Sequence, residues 1–178
     1  MKQITPNQFK EAFLSAVSSV RPDVIALWDA KRDYTALMLD IVFPKIAAEL
    51  NISVFNGDYY HLDSIFYSER DAEHFGSTAI YATCISIAME HENDPTHSAV
   101  EMNKLQLFNA PLKVLITYAG TPDLRRFYLD RYTKIIQSAD IFGDFATLRR
   151  QLVIFGSLAE QTVTWHFHLF GASGFQAI

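Results

Sequence analysis

The chain has 178 residues, 49% of them hydrophobic, and a formal net charge of −5 at pH 7. This length suits a single domain, residues 1–178, with a sizeable core, and the acidic balance argues against a general binder of polyanions. The charge is uneven, because residues 1–100 carry 7 basic and 14 acidic side chains whereas residues 101–178 carry 8 and 6. A local basic surface could form in the second half, although a solvated helix face would explain the same charges.

Signals for export and for membrane insertion are missing from the sequence. It contains no run of 18 apolar residues, which a membrane-spanning helix would need. Its start has no apolar signal-peptide core, and Cys84, the one cysteine, cannot form an internal disulfide. We therefore expect a cytoplasmic protein that does not bind a membrane.

The N-terminal part of the sequence shows helical periodicity. Thr5 and Gln8 form a predicted capping box around Pro6, and apolar residues follow at helical spacing as far as Val20. A second helix start lies at Pro22.

A longer helical pattern runs from Asp33 to Leu50. Pro44 lacks a backbone N–H, so it should kink or divide this helix. Glu49 stands at the end of the pattern, just before the first strand signals.

Residues 52–67 change to the periodicity of strands. Ile52–Phe55 is predicted to be a short strand, Asn56-Gly57 a hairpin turn, and Tyr59–Tyr67 the returning strand, with Asp63 in its middle. Residues 78–92 are predicted to be a third strand, which is long and apolar before its acidic end. We expect these three segments to form a β-meander.

The second half of the chain alternates helices and strands. Asp94-Pro95 is predicted to start a helix, with Ser98 and Glu101 as a second candidate capping box. The apolar strand 112–118 follows, and the order strand, helix, strand predicts a right-handed crossover with parallel pairing. The remaining predicted elements are a helix, 121–138, and two strands, 152–155 and 162–170. The sequence thus predicts an α/β fold with a mixed central sheet flanked by helices.

Three acids lie on two neighbouring strands of this predicted sheet. Asp63 stands in mid-strand, where burying a carboxylate is costly unless it is paired or holds a metal. Glu90 and Glu92 end the third strand and share one face, while His91 between them points the other way. Carboxylate oxygens in this arrangement suit a hard cation such as Mg²⁺ or Mn²⁺.

A lysine on the next predicted helix could complete such a site. Lys104 lies three residues after Glu101 and hence on nearly the same helix face. Its charge could counter that of a bound phosphate, while the metal lowers the pKa of a bound water.

With helix, three-stranded meander, helix and strand in this order, residues 33–118 resemble the core of the PD-(D/E)XK nuclease-like superfamily, which has the restriction-endonuclease-like fold. The N-terminal helix and the C-terminal helix and hairpin would be additions to that core. The acid in Leu62-Asp63-Ser64 and the pair in Glu90-His91-Glu92 match the metal-binding acids of the superfamily. The resemblance implies a nuclease that depends on Mg²⁺ or Mn²⁺ and hydrolyses phosphodiester bonds, and we expect it to act on DNA in preference to RNA.

The sequence departs from the superfamily pattern at position 92. The superfamily places a lysine two residues after the second acid, and this chain has Glu92 there. Some members also carry Glu at this place, and others supply the lysine from the next helix, a position that Lys104 matches. The roles that the resemblance implies are catalytic for Asp63, Glu90, Glu92 and Lys104, metal-binding for the three acids among them, and accessory for Glu49. We expect Glu101, on nearly the same helix face as Lys104, to be a second accessory acid.

Other interpretations of the same residues stay open. The chain could have a degenerate site and act as a binding or interaction module, since Glu92 replaces the lysine and the net charge is acidic. The acids could also be structural and the resemblance accidental, which would show in a different strand order. His166 and His168 share one strand face and could ligate zinc, but the sequence shows no third ligand, which favours a half-exposed strand. A nucleic-acid partner and a homodimer both remain open.

Overall fold

A seven-stranded mixed sheet with helices on both faces organises the molecule. The computed structural model describes residues 3–75 and 79–178. The predicted α/β class, with a mixed central sheet flanked by helices, is confirmed at that level.

Helices Pro6–Ser19 (α1), Arg21–Ala26 (α2), Lys31–Leu37 (α3) and Phe43–Glu49 (α4) cover one face of the sheet. The predicted capping box starts α1, because the Thr5 amide donates to Gln8 Oε1 at 2.9 Å and the Gln8 amide to Thr5 Oγ1 at 3.2 Å. A π-helical turn, Met38–Val42, divides α3 from α4 just before Pro44. The missing proline N–H accounts for this break, so the predicted division of the helix is confirmed.

The strands of the main sheet lie in the order β1-β2-β5-β6-β7-β8-β9. Their bounds, with those of a separate two-stranded ladder (β3 and β4), are Ser53–Tyr59 (β1), Leu62–Tyr67 (β2), Ala72–Phe75 (β3), Ala79–Ala82 (β4), Ile85–His91 (β5), Leu112–Tyr118 (β6), Arg150–Ala159 (β7), Thr162–Gly171 (β8) and Gly174–Ala177 (β9). β1, β2 and β5 pair antiparallel, whereas β5, β6 and β7 are parallel. The predicted meander and the predicted parallel crossover are therefore confirmed.

Helices Ser98–Leu105 (α5) and Pro122–Ala139 (α6) cover the other face of the sheet. α5 starts four residues later than the predicted cap at Asp94, whose carboxylate instead accepts hydrogen bonds from the amide and hydroxyl of Thr96, at 2.9 and 2.7 Å. Among the described residues, no helix is both long enough and apolar enough to cross a membrane.

The predicted hairpin turn at Asn56-Gly57 is wrong. β1 continues through both residues to Tyr59, and the chain reverses at Tyr60 and His61. The side chain of Asn56 is committed inside the protein, where Nδ2 donates to the carbonyl of Leu39 and Oδ1 accepts from Ser64 Oγ at 2.7 Å. These tertiary contacts override the local turn preference.

The shift of the turn changes the place of Asp63. It is the second residue of β2 rather than a mid-strand residue, so its carboxyl group lies near the start of that strand.

The predicted third strand, 78–92, is two strands, and residue 78 lies outside the described part of the chain. β4 ends at Ala82 and β5 begins at Ile85. The break comes at Thr83, whose amide and hydroxyl both donate to the carbonyl of Asp71, at 2.8 and 2.9 Å. β4 therefore pairs with β3, and only β5 joins the main sheet.

Alternation along β5 sends its side chains into two different cores. Ile87 and Met89 pack against the layer formed by α1–α4, while Ala88 packs against the layer formed by α5 and α6. Glu90 falls on the face of Ala88 and His91 on the face of Met89. The end of β5 thus delivers one acid and one imidazole to opposite sides of the sheet.

Candidate functional site

Asp63 and Glu90 lie side by side where β2 begins and β5 ends. The antiparallel ladder pairs Ser64 with Met89, so the next residue pair outward is Asp63 and Glu90, on the face covered by α5. The two carboxyl groups are close enough to affect each other's pKa. Asp63 Oδ2 also accepts the backbone N–H of His91 at 2.8 Å.

Burial forces this carboxyl pair to retain a proton. Glu90 is only 1% exposed, and desolvation, together with the charge of Asp63, raises its pKa to about 10 although Lys104 acts in the opposite direction. Desolvation also raises the pKa of Asp63, against the lowering effect of the His91 amide. Because two carboxylates this close cannot both ionise easily, the pair holds one proton at neutral pH.

Lys104 is held beside the pair by three acceptors. Its Nζ lies 2.9 Å from Glu90 Oε1, forms an ion pair with Glu101, and donates to the carbonyl of His61 at 2.6 Å. Burial alone would lower the pKa of Lys104, but the hydrogen bonds to Glu101 and Glu90 outweigh it and raise that pKa. Lys104 therefore stays protonated, and its ammonium group is held in position by these acceptors.

Glu92 is engaged in the loop after β5. Its amide donates to the Ile116 carbonyl at 2.9 Å, and its Oε1 accepts the amide of Asp94 at 2.7 Å. The side chain of Glu92 thus stabilises this loop, whereas Asp63 and Glu90 face each other.

Glu49 lies at another part of the surface. It is exposed at the end of α4 and lines a cavity together with Gln8 and Glu11. The nearby strand β1 starts at Ser53, which pairs with Tyr67, four residues along β2 from Asp63. At the rise of a strand this is about 13 Å, so Glu49 is separated from the cluster of Asp63, Glu90, Glu101 and Lys104.

The histidines serve other parts of the structure. His91 lies on the opposite face from Glu90, as predicted, with Nε2 2.6 Å from the hydroxyl of Tyr118, and burial lowers its pKa to about 3. Desolvation also lowers the pKa values of His166 and His168, and the charge of Arg125 adds to this effect. These three imidazoles are therefore neutral at pH 7.

The donor set at the carboxyl pair fits a hard divalent cation. Among residues 3–75 and 79–178, no three His, Cys, Asp or Glu side chains form a ready metal site. Mg²⁺, however, is commonly held by one or two carboxylates and keeps several waters. Asp63 and Glu90 supply two such groups, and a bound cation would neutralise them in place of a proton.

One feature of the site could not be found from the sequence. The turn Tyr60-His61 supplies the carbonyl that fixes Lys104, but the strongest local turn signal lies at Asn56-Gly57. Neither Tyr60 nor His61 belongs to a residue type that marks such a turn.

Two comparisons with known proteins found no match. No family model matches the sequence, and no curated protein matches it at a significant level.

Proposed function

We propose that the protein is a metal-dependent nuclease of the PD-(D/E)XK superfamily, which hydrolyses phosphodiester bonds in DNA in preference to RNA. The observation that carries this proposal is the buried Asp63–Glu90 carboxyl pair with Lys104 Nζ 2.9 Å from Glu90 Oε1. Two acids and a lysine, delivered by adjacent strands and the next helix, are the groups that the resemblance implies.

The arrangement of the core supports the same proposal. α4 precedes an antiparallel meander of β1, β2 and β5, and α5 then leads to the parallel strand β6. This is the order on which the resemblance to the restriction-endonuclease-like fold rests. This agreement in element order supports the proposal.

Each residue of the cluster has a chemical role in this proposal. Asp63 and Glu90 would hold Mg²⁺ or Mn²⁺, and the bound metal would supply an activated water and neutralise charge on the phosphate. Lys104 counters the negative charge that develops on the phosphate oxygens. Glu101 and the His61 carbonyl are positioning groups, because they orient the Lys104 ammonium.

A binding module with a degenerate site is the second candidate. Its support is that the ammonium of Lys104 is already shared among Glu90, Glu101 and His61, while Glu92 stands where the superfamily lysine would be. A protein of this kind would bind nucleic acid without hydrolysing it.

Calorimetric titration with Mn²⁺ tests the metal site. The wild-type chain should bind Mn²⁺ saturably, and Glu90→Gln should lose that binding because a neutral amide replaces the buried carboxyl. Glu49→Gln is the matched control, since it makes the same substitution at a distant surface, and it should bind as the wild type does. Equal binding by all three proteins would refute the assignment of Glu90.

A cleavage assay then separates the two candidate functions. Labelled single-stranded and duplex DNA, with RNA of the same sequence, should be cleaved only when Mg²⁺ or Mn²⁺ is added. Metal binding without cleavage of any of these substrates would favour the binding module over the nuclease.

A further inference from the structure

The turn that holds Lys104 carries two aromatic rings into solvent. Tyr60 is 68% exposed, and the side chain of His61 is 85% exposed. Both residues have positive φ, 50° and 70°, which L-residues rarely adopt. The turn nevertheless keeps two bulky side chains.

Backbone conformation alone does not account for those rings. The turn between β7 and β8 also has positive φ at both residues, 47° at Glu160 and 62° at Gln161, and it carries two ordinary polar side chains. What distinguishes the Tyr60-His61 turn is therefore its aromatic content, next to the carboxyl pair.

The ring of Tyr60 is supported by a buried neighbour. Its ring packs edge-to-face on Tyr59, with ring centroids 5.0 Å apart. Tyr59 is itself buried, and its hydroxyl lies 3.3 Å from the carbonyl of Ala82. The exposed ring thus needs little further ordering when a flat group binds to it.

The same turn lies against the candidate metal centre. The carbonyl of His61 is 2.6 Å from Lys104 Nζ, and that nitrogen is 2.9 Å from Glu90 Oε1. Asp63 follows His61 by two residues. If the phosphate of a nucleotide bound at the carboxyl pair, the base of that nucleotide could therefore reach the rings of the turn.

The local charge argues against tight binding of a duplex through its phosphates. Asp58, beside the turn, is exposed and lies 3.4 Å from His61 Nδ1, and residues 1–100 carry 7 basic against 14 acidic side chains. Duplex affinity depends mainly on cations that neutralise phosphates. Aromatic stacking adds affinity that does not come from cations, and it needs an unpaired base whose face is accessible.

We infer that Tyr60 stacks on an unpaired nucleobase next to the scissile phosphate, so that the substrate is a single strand or a single-stranded end. This inference rests on the proposed function, because it places the base beside that site. Tyr60 is then a substrate-binding residue that selects unpaired DNA.

Binding of a short single-stranded DNA that contains 2-aminopurine, measured in EDTA, tests this inference without cleavage. The wild type should quench the fluorescent base on binding and should prefer the single strand to the matched duplex. Tyr60→Ala should weaken single-strand binding about tenfold or more and abolish the quenching, whereas Tyr60→Phe should retain both. Tyr81→Ala, which removes another exposed tyrosine, should leave both unchanged.

A second variant guards against an effect on folding. Tyr60→Asn removes the ring but suits a positive φ, so the turn and the bond from Lys104 to His61 should persist. It should lose single-strand affinity as Tyr60→Ala does. Unchanged affinity in Tyr60→Asn, equal affinity for single strand and duplex, or no single-strand binding at all would overturn the inference.

The outcomes also separate this inference from the nuclease proposal. Metal-dependent cleavage with no dependence on Tyr60 would overturn the inference and leave the nuclease proposal standing. Binding that depends on Tyr60, without cleavage in Mn²⁺, would support stacking of a base on Tyr60 but refute the nuclease proposal, and with it the placement of that base beside a scissile phosphate.

Discussion

The backbone N–H of His91 donates to Asp63 Oδ2 at 2.8 Å, which ties the carboxyl pair to a residue whose side chain lies on the opposite face of the sheet. On that face the His91 ring packs among Tyr34, Phe43 and Tyr118. The aromatic cluster thus fixes the end of β5, and the end of β5 fixes the orientation of Asp63.

Removing the hydroxyl that contacts His91 should destabilise the protein. Tyr118→Phe deletes the partner 2.6 Å from His91 Nε2 and leaves a buried ring nitrogen unsatisfied, at a cost of about 1–3 kcal/mol in the free energy of unfolding. Urea denaturation measures this change. Tyr81→Phe is the control, because its hydroxyl is on an exposed side chain, and a loss no larger than in this control would contradict the buried role of the Tyr118 hydroxyl.

The raised pKa of Glu90 predicts an unusual pH dependence of stability in the absence of metal. The unfolded chain releases this proton near pH 4.5, while the folded protein keeps it until about pH 10. Between these values the native state binds more protons than the unfolded state, so stability should fall as pH rises, by up to about 1.4 kcal/mol per pH unit.

Glu90→Gln tests that pH dependence, since an amide cannot titrate. Urea denaturation in EDTA at several pH values should show a shallower decline for the variant than for the wild type. Some slope should remain because the pKa of Asp63 is also raised. Parallel stability curves for the two proteins would mean that Glu90 does not hold the proton.

Lys104→Met should reduce cleavage far more than it reduces folding. The variant keeps much of the aliphatic bulk but removes the charge that faces Glu90 and Glu101. Loss of one such electrostatic group typically lowers the rate by about 10²–10³-fold. Single-turnover cleavage measures the rate and circular dichroism the fold. Lys45→Met removes an exposed lysine elsewhere on the protein, and similar rates in both variants would exclude a role for Lys104 in the reaction.

How far the sequence predicts this molecule depends on whether local or tertiary contacts decide each feature. The start of α1 is local, because Thr5 and Gln8 cap the helix with each other. The neighbourhood of Asp63 and Glu90 follows from pairing the second and third predicted strands, even though the turn was misplaced. The turn itself depends on a contact from Asn56 to Leu39, 17 residues away, which no local pattern reveals.

Glu92 shows the same limit within the candidate site. Strand alternation places it on the face of Glu90 only if the strand continues, and β5 ends at His91. The loop then turns the carboxylate of Glu92 toward the amide of Asp94. The two-residue period of a strand does not predict this contact with Asp94, because Glu92 lies one residue beyond the end of β5.

Replacing the two aromatic residues of the Tyr60-His61 turn should stabilise the protein and weaken its binding of single strands. The double variant Tyr60→Asn/His61→Gly installs the residues that positive φ values favour and should raise the free energy of unfolding by about 1–2 kcal/mol. The carbonyl of residue 61 remains available to Lys104, so metal binding should persist while single-strand affinity falls. Glu160→Asn/Gln161→Gly makes the same change in the β7–β8 turn and should give a similar gain in stability with unchanged binding. If the two double variants gained stability equally and both kept full affinity for single strands, the rings of Tyr60 and His61 would have no part in binding.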